Sequence, residues 1–171
     1  YRFTSTGNIA MQTVGGNGYT TVPSENGEGA GRLFYCATHA WSTGALAVFA
    51  YEDAQVQVYD MDLGDLLYDQ TVTAGSYWWQ NGVGTRRLKI VSSADIGVWA
   101  GDTEGGTGIQ NFGDDISFAG GRNNGREFYA HGLQDGLVIF APYDGTVIDV
   151  NGAIQNLDRD EYMPLAGGAL Y

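Results

Sequence analysis

The sequence predicts an all-β protein of two pseudo-symmetric repeat units forming a β-sandwich or related two-sheet architecture. Three observations carry that prediction. The first is a recurrence: Val48-Phe49-Ala50-Tyr51-Glu52-Asp53-Ala54-Gln55-Val56-Gln57-Val58 returns as Ile139-Phe140-Ala141-Pro142-Tyr143-Asp144-Gly145-Thr146-Val147-Ile148-Asp149. Phe49 matches Phe140, Asp53 matches Asp144 and Val56 matches Val147 at one constant spacing. Internal repeats govern the reading of everything else, because one supersecondary design is being stacked. The second observation is that no long window holds a 3.6-residue apolar stripe free of glycine, whereas short alternating runs abound. The third is composition: 27 Gly against 3 Pro, with 13% aromatic residues, suits many tight turns between strands.

The repeat extends beyond its centre. Tyr1-Arg2-Phe3-Thr4-Ser5-Thr6-Gly7-Asn8-Ile9-Ala10-Met11 matches Leu88-Lys89-Ile90-Val91-Ser92-Ser93-Ala94-Asp95-Ile96-Gly97-Val98 without a gap. Gly31–Tyr35 matches Gly125–Tyr129, and Val72–Tyr77 matches Leu157–Tyr162. Tyr171 stands where Leu88 and Tyr1 stand, at the head of a unit. The units therefore run over Tyr1–Arg87 and Leu88–Tyr171, as one compact body or two tight halves. A chain that opens on Tyr1 reads as a processed mature protein or a fragment excised from a longer one.

Taken in order, Tyr1–Val14 alternates weakly and forms one or two short strands, and Gly15–Gly31 is a loop dense in turn formers. Leu33–Thr38 and Ala45–Tyr51 are strands, the second buried. Gln55–Tyr59 alternates polar and apolar as a half-exposed strand does. Asp60–Asp65 is a turn, Leu66–Thr73 a strand, and Ala74-Gly75 closes a hairpin into Tyr77-Trp78-Trp79. Arg86–Val91 and Ile96–Ala100 are strands split by Ser92–Asp95. Gly101–Asn124 is the longest loop and holds Ile116-Ser117-Phe118. Phe128–His131, Leu137–Ala141, Thr146–Val150, Gln155–Leu157 and Glu161–Met163 complete the strands.

Charge excludes some partners. Twenty Asp+Glu face eight Lys+Arg, a net charge of −12, and Lys89 is the sole lysine. Nucleic acid binding rests on cations that neutralise phosphates, so nucleic acid is not the partner. An anionic membrane surface is excluded on the same ground, and no apolar run is long enough for membrane insertion. Such acidity suits solubility outside the cell, where salt screens self-repulsion.

Candidate chemistry is sparse. Asp60, Asp62 and Asp65 place three carboxylates in one turn, and calcium, the cofactor such a turn would take, prefers several hard oxygen ligands. Asp102, Glu104, Asp114 and Asp115 in the long loop form a comparable group. The spacing is not that of an EF-hand, so a solvated turn competes with a metal site. Cys36, the one cysteine, sits in an apolar run and reads as a small buried thiol. Two histidines, His39 and His131, supply neither a structural zinc nor a catalytic pair with it. Trp41, Trp78, Trp79 and Trp99 offer faces that stack on sugar rings. Tyr77, matched by Tyr162, suits core or interface packing.

The run from the apolar strand at Ala45 through Leu88-Lys89-Ile90-Val91-Ser92-Ser93-Ala94-Asp95-Ile96-Gly97-Val98-Trp99-Ala100-Gly101-Asp102 resembles extracellular β-repeat domains of the IgGFc-binding and hyalin-adhesion type. The resemblance implies a secreted or surface module that works by contact, and it transfers no catalytic residue. The paired cysteines common in animal members are absent.

Together these observations lead to a non-enzymatic structural subunit of an extracellular filament, surface layer or virion appendage. Its partner is a further copy of itself, joined by β-strand contacts. Tyr1, Phe3, Ile9, Met11 and Tyr171 are the expected self-association residues, since Tyr1–Val14 carries one charge and no proline to blunt an edge. The competing expectation is a carbohydrate-binding or adhesive module whose partner is a glycan.

Overall fold

The computed structural model describes residues 12–15, 18–21, 29–38, 44–101, 114–116, 126 and 137–166. All regular structure there is β, as expected, and its largest sheet is curled. No helix among these residues is long and apolar enough to cross a membrane. The chain divides into two compact units, Tyr1–Asn123 and Asn124–Tyr171.

The first unit is built on one strand. Strands β1 (Gln12–Gly15) and β2 (Gly18–Thr21) pair as a hairpin. They are followed by β3 (Gly31–Thr38), β4 (Ala45–Ala50), β5 (Ala54–Asp60), β6 (Leu66–Val72), β7 (Tyr77–Asn81), β8 (Arg86–Gly101) and β9 (Asp114–Ile116). The break expected at Ser92–Asp95 does not occur: β8 runs unbroken for 16 residues. Leu88, Ile90, Ser92, Ala94, Ile96 and Val98 all turn to the buried face, a period of two kept through the polar stretch. The serines belong to the strand because it bends there. Ser93 Oγ accepts the Gln55 N–H at 2.9 Å, and Arg32 Nε donates to Asp95 Oδ1 at 2.8 Å.

Ile90 pairs with both Phe34 of β3 and Val58 of β5, which puts those strands on opposite edges of β8. Ile96 pairs with Gly31 and with Ala50, so β4 and β5 follow one another along a single edge. Outside them lie β7 on β4 and β6 on β5. The result is a curled seven-stranded sheet. Phe34, Leu46, Val48, Val56, Val58, Leu88, Ile90, Ile96 and Val98 form the core inside the curl.

Ala74-Gly75 is accordingly a corner and not a hairpin. β6 and β7 each pair with a different strand, and the turn between them is pinned to the bend between β4 and β5. Asp53 Oδ1 accepts the Ala74 N–H at 2.8 Å, and the Ala50 carbonyl accepts the Gly75 N–H at 2.8 Å. Gly75 lies at φ +71°, where a side chain is strained.

The second unit contains β10 (Leu137–Ala141), β11 (Thr146–Val150), β12 (Ala153–Leu157) and β13 (Glu161–Leu165). β10 pairs with β13 as β4 does with β7, and β11 with β12 as β5 does with β6. The two bonds that pin the corner have counterparts here. Asp144 Oδ1 accepts the Arg159 N–H at 3.1 Å, the Ala141 carbonyl accepts the Asp160 N–H at 3.0 Å, and Asp160 sits at φ 67° in the place of Gly75. Phe140 packs on Tyr162 with ring centroids 6.3 Å apart, as Phe49 does on Tyr77 at 6.1 Å.

One match shifts by a residue. Thr146 opposes Leu157 in the place where Ala54 opposes Val72, so Ile148, not Val147, is the counterpart of buried Val56. The cause is Gly145, which at φ 64° donates its N–H to Asp158 Oδ1 at 3.0 Å and adds a residue to the bend. The boundary expected between Arg87 and Leu88 falls inside β8, whereas the compact units divide between Asn123 and Asn124.

Candidate functional site

The acidic turn after β5 is built from alternation. Asp60 continues the inward row of Val56 and Val58 and is 2% exposed. Its Oδ2 is ion-paired with Arg86 Nη1, and its Oδ1 accepts the N–H groups of Asp62 at 2.9 Å and Leu63 at 3.4 Å. Arg86 Nε donates to the Val83 carbonyl at 2.8 Å, and Thr38 Oγ1 donates to the Gly84 carbonyl at 2.7 Å. A buried charge is tolerated only when partnered in this way. Asp62 meets Arg87 through two bonds, at 3.0 Å and 2.6 Å, the bidentate geometry that guanidinium favours.

Asp65 is exposed, and its carbonyl takes the Asp60 N–H at 2.9 Å. The three carboxylates that the sequence grouped thus turn apart, two of them towards arginines. No group of three His, Cys, Asp or Glu side chains among the described residues is placed to hold a metal ion. Asp114 and Asp115 lie in β9 opposite Ala100 and Trp99, while Asp102 and Glu104 fall outside the described residues.

The tryptophans separate by parity. Trp78 points inward, half-buried against the core, with its ring 5.4 Å from that of Tyr68. Trp79 and Trp99 both oppose Ala47, one on either side, and so share the outer face. Sequence reading missed the residues that make this face aromatic. Phe49 and Tyr77 are cross-strand neighbours, 44% and 62% exposed, beside Trp79 at 36%. Core packing of Tyr77 is thereby ruled out. The signal was the odd numbering shared by Tyr77 and Trp79 along a strand, which places both on one face.

That face belongs in part to β7, which is an edge strand of the sheet and has β4 as its one strand partner among the described residues. Ala50 N–H donates to the Ser76 carbonyl at 3.1 Å, so even-numbered residues of β7 address β4. By alternation, Tyr77 and Trp79 turn their main-chain groups to the outer edge. Trp41, Tyr1, Phe3, Ile9, Met11 and Tyr171 lie outside the described residues.

Cys36 is buried, and burial pushes its thiol from about 9.0 up to about 12. The folded chain should therefore resist alkylation at pH 8 and react only on unfolding, because the thiolate is the nucleophile. The folded state holds this proton more tightly than the unfolded one. Its contribution is complete below pH 9 and is lost as pH rises towards 12, so thermal melts in that window should fall and Cys36→Ala should flatten the decline.

Compared with protein-family models, with curated proteins and with solved structures, the chain matches none.

Proposed function

We propose that this chain is a non-enzymatic structural subunit of an extracellular filament, surface layer or virion appendage, and that it self-associates through β-strand contacts. The observation that carries the reading is β7. Tyr77-Trp78-Trp79-Gln80-Asn81 contains no charge and no proline, on a chain of net charge −12. Natural edge strands are normally blunted by charge, proline or cover. Another edge strand, β6, does carry a charge: Asp69 binds Gln55 and Gln57 of β5. Copies of so acidic a chain repel each other least where their surfaces are neutral. The resemblance to IgGFc-binding and hyalin-type repeats supports an extracellular setting, and the recurrent corner supports a duplicated two-sheet design.

Light scattering on the full chain tests this, with and without calcium at fixed ionic strength. Concentration-dependent association should appear, and Trp79→Lys should weaken it at least tenfold without unfolding the chain. A monomer at every concentration, in both conditions, would sink the proposal.

The outer aromatic face favours a second reading, a glycan-binding module. Trp79 and Trp99 stand two strand spacings apart, about 10 Å, and present faces on which sugar rings stack. A glycan array separates the readings: binding by the monomer that disappears in Trp79→Ala selects the module.

A further inference from the structure

Two asparagine–glycine steps among the described residues are held in opposite ways. One is Asn81-Gly82, where β7 ends, and the other is Asn151-Gly152, in the turn between β11 and β12. Asn17, Asn26 and Asn124 also precede glycine, but they fall outside the described residues.

At Asn81 the side chain curls back on its own main chain. Gly82 donates its N–H to Asn81 Oδ1 at 2.7 Å, which sets the side-chain amide carbon beside the Gly82 nitrogen. Both ends of the step are anchored. Asn81 pairs with Ala45 of β4, and buried Val83 donates its N–H to the Gly44 carbonyl at 3.0 Å. Gly82 itself is exposed at φ +75°, and a Cβ there would meet nothing within 4 Å, so water reaches the step. At Asn151 the glycine nitrogen is aimed elsewhere: Gly152 donates to Asp149 Oδ1 at 2.7 Å. A main-chain nitrogen must shed its proton before it attacks a carbonyl carbon, and a carboxylate that accepts this N–H holds the proton in place. Asn81 presents a neutral amide oxygen instead.

We infer that Asn81 is a site of spontaneous deamidation, at which the folded chain converts its own asparagine to aspartate and isoaspartate. The Gly82 nitrogen loses its proton to solvent and bonds to Asn81 Cγ, closing a succinimide ring. The Cγ–Nδ2 bond breaks, and the amide group takes up one proton and leaves as ammonia. Water then opens the ring at either carbonyl, giving aspartate or an isoaspartyl link that routes the main chain through Cγ. Reacting atoms already held side by side skip the search through rotamers, which is how orientation speeds an intramolecular reaction. Each conversion adds a negative charge to a strand that has none. The chemistry needs no second copy of the chain and stands apart from the self-association reading.

Peptide mapping of the full-length chain, incubated at mildly alkaline pH, reads conversion at each asparagine. In the folded chain Asn81 should convert at least about tenfold faster than Asn151, with isoaspartate among its products. In denaturant the two rates should draw together, because Asn-Gly-Val and Asn-Gly-Ala are alike in sequence and folded geometry alone separates them. Asn81→Gln should leave its peptide unconverted, since the longer side chain has to close a larger ring. Equal rates at Asn81 and Asn151 in the folded chain would overturn the inference, as would a gap that persists in denaturant.

Discussion

Asp60→Ala should be among the most destabilising single changes in the first unit, at about 3 kcal/mol. Removing one partner of a buried ion pair leaves the other charge uncompensated, and such losses run at roughly 3–5 kcal/mol. The lower figure applies because the Arg86 side chain is 36% exposed and water takes up part of its charge. The turn also suffers, since the Asp62 and Leu63 N–H groups lose their acceptor. A melting point lower by roughly 10 °C would register the change. Asp60→Asn separates the contributions: it keeps the turn acceptor and loses the charge, so it should fall between wild type and alanine. If Asp60→Ala melts within a degree or two of wild type, the carboxylate is not the keystone of that end of the sheet.

Ile96→Ala should cost about 3–4 kcal/mol, within the range for emptying a buried aliphatic site. Ile96 is wholly buried and sits where β8 pairs with Ala50 on one edge and Gly31 on the other. Strands held on both sides collapse poorly into a cavity, which places the cost above the minimum. Chemical denaturation should show a lower midpoint with an unchanged slope. A loss under 1 kcal/mol would mean that the curl repacks freely around the site.

How much of this was legible beforehand depends on the range of the interaction. The alternation Ala54-Gln55-Val56-Gln57-Val58 is local, and β5 appears where it should. The Phe49/Phe140 and Asp53/Asp144 matches were also readable, because identical side chains do identical work in the two corners. Partner choice was not. Asp60, Asp62 and Asp65 look like one cluster in sequence, yet pleating sends Asp60 inward to an arginine 26 positions away. Ser92 and Ser93 read as turn formers because their strand partners lie far off in the chain. Ala74-Gly75 has the composition of a hairpin, and only the pairing of β6 with β5 and of β7 with β4 makes it a corner. The Val56/Val147 match slipped by one residue because a left-handed glycine lengthens the bend, and sequence alignment cannot see φ.

The lateness of β8 has a consequence for synthesis. β4 ends at Ala50, but β8, the strand that pairs along its edge and along that of β5, ends at Gly101. At translation rates of roughly 5–20 residues per second, a nascent chain holds β4 and β5 without their central strand partner for about 3–10 s. A chaperone that shields extended apolar segments has its window there. The interval closes when Ile96 and Val98 emerge, so a pause in translation before residue 88 should lower soluble yield more than the same pause after residue 101.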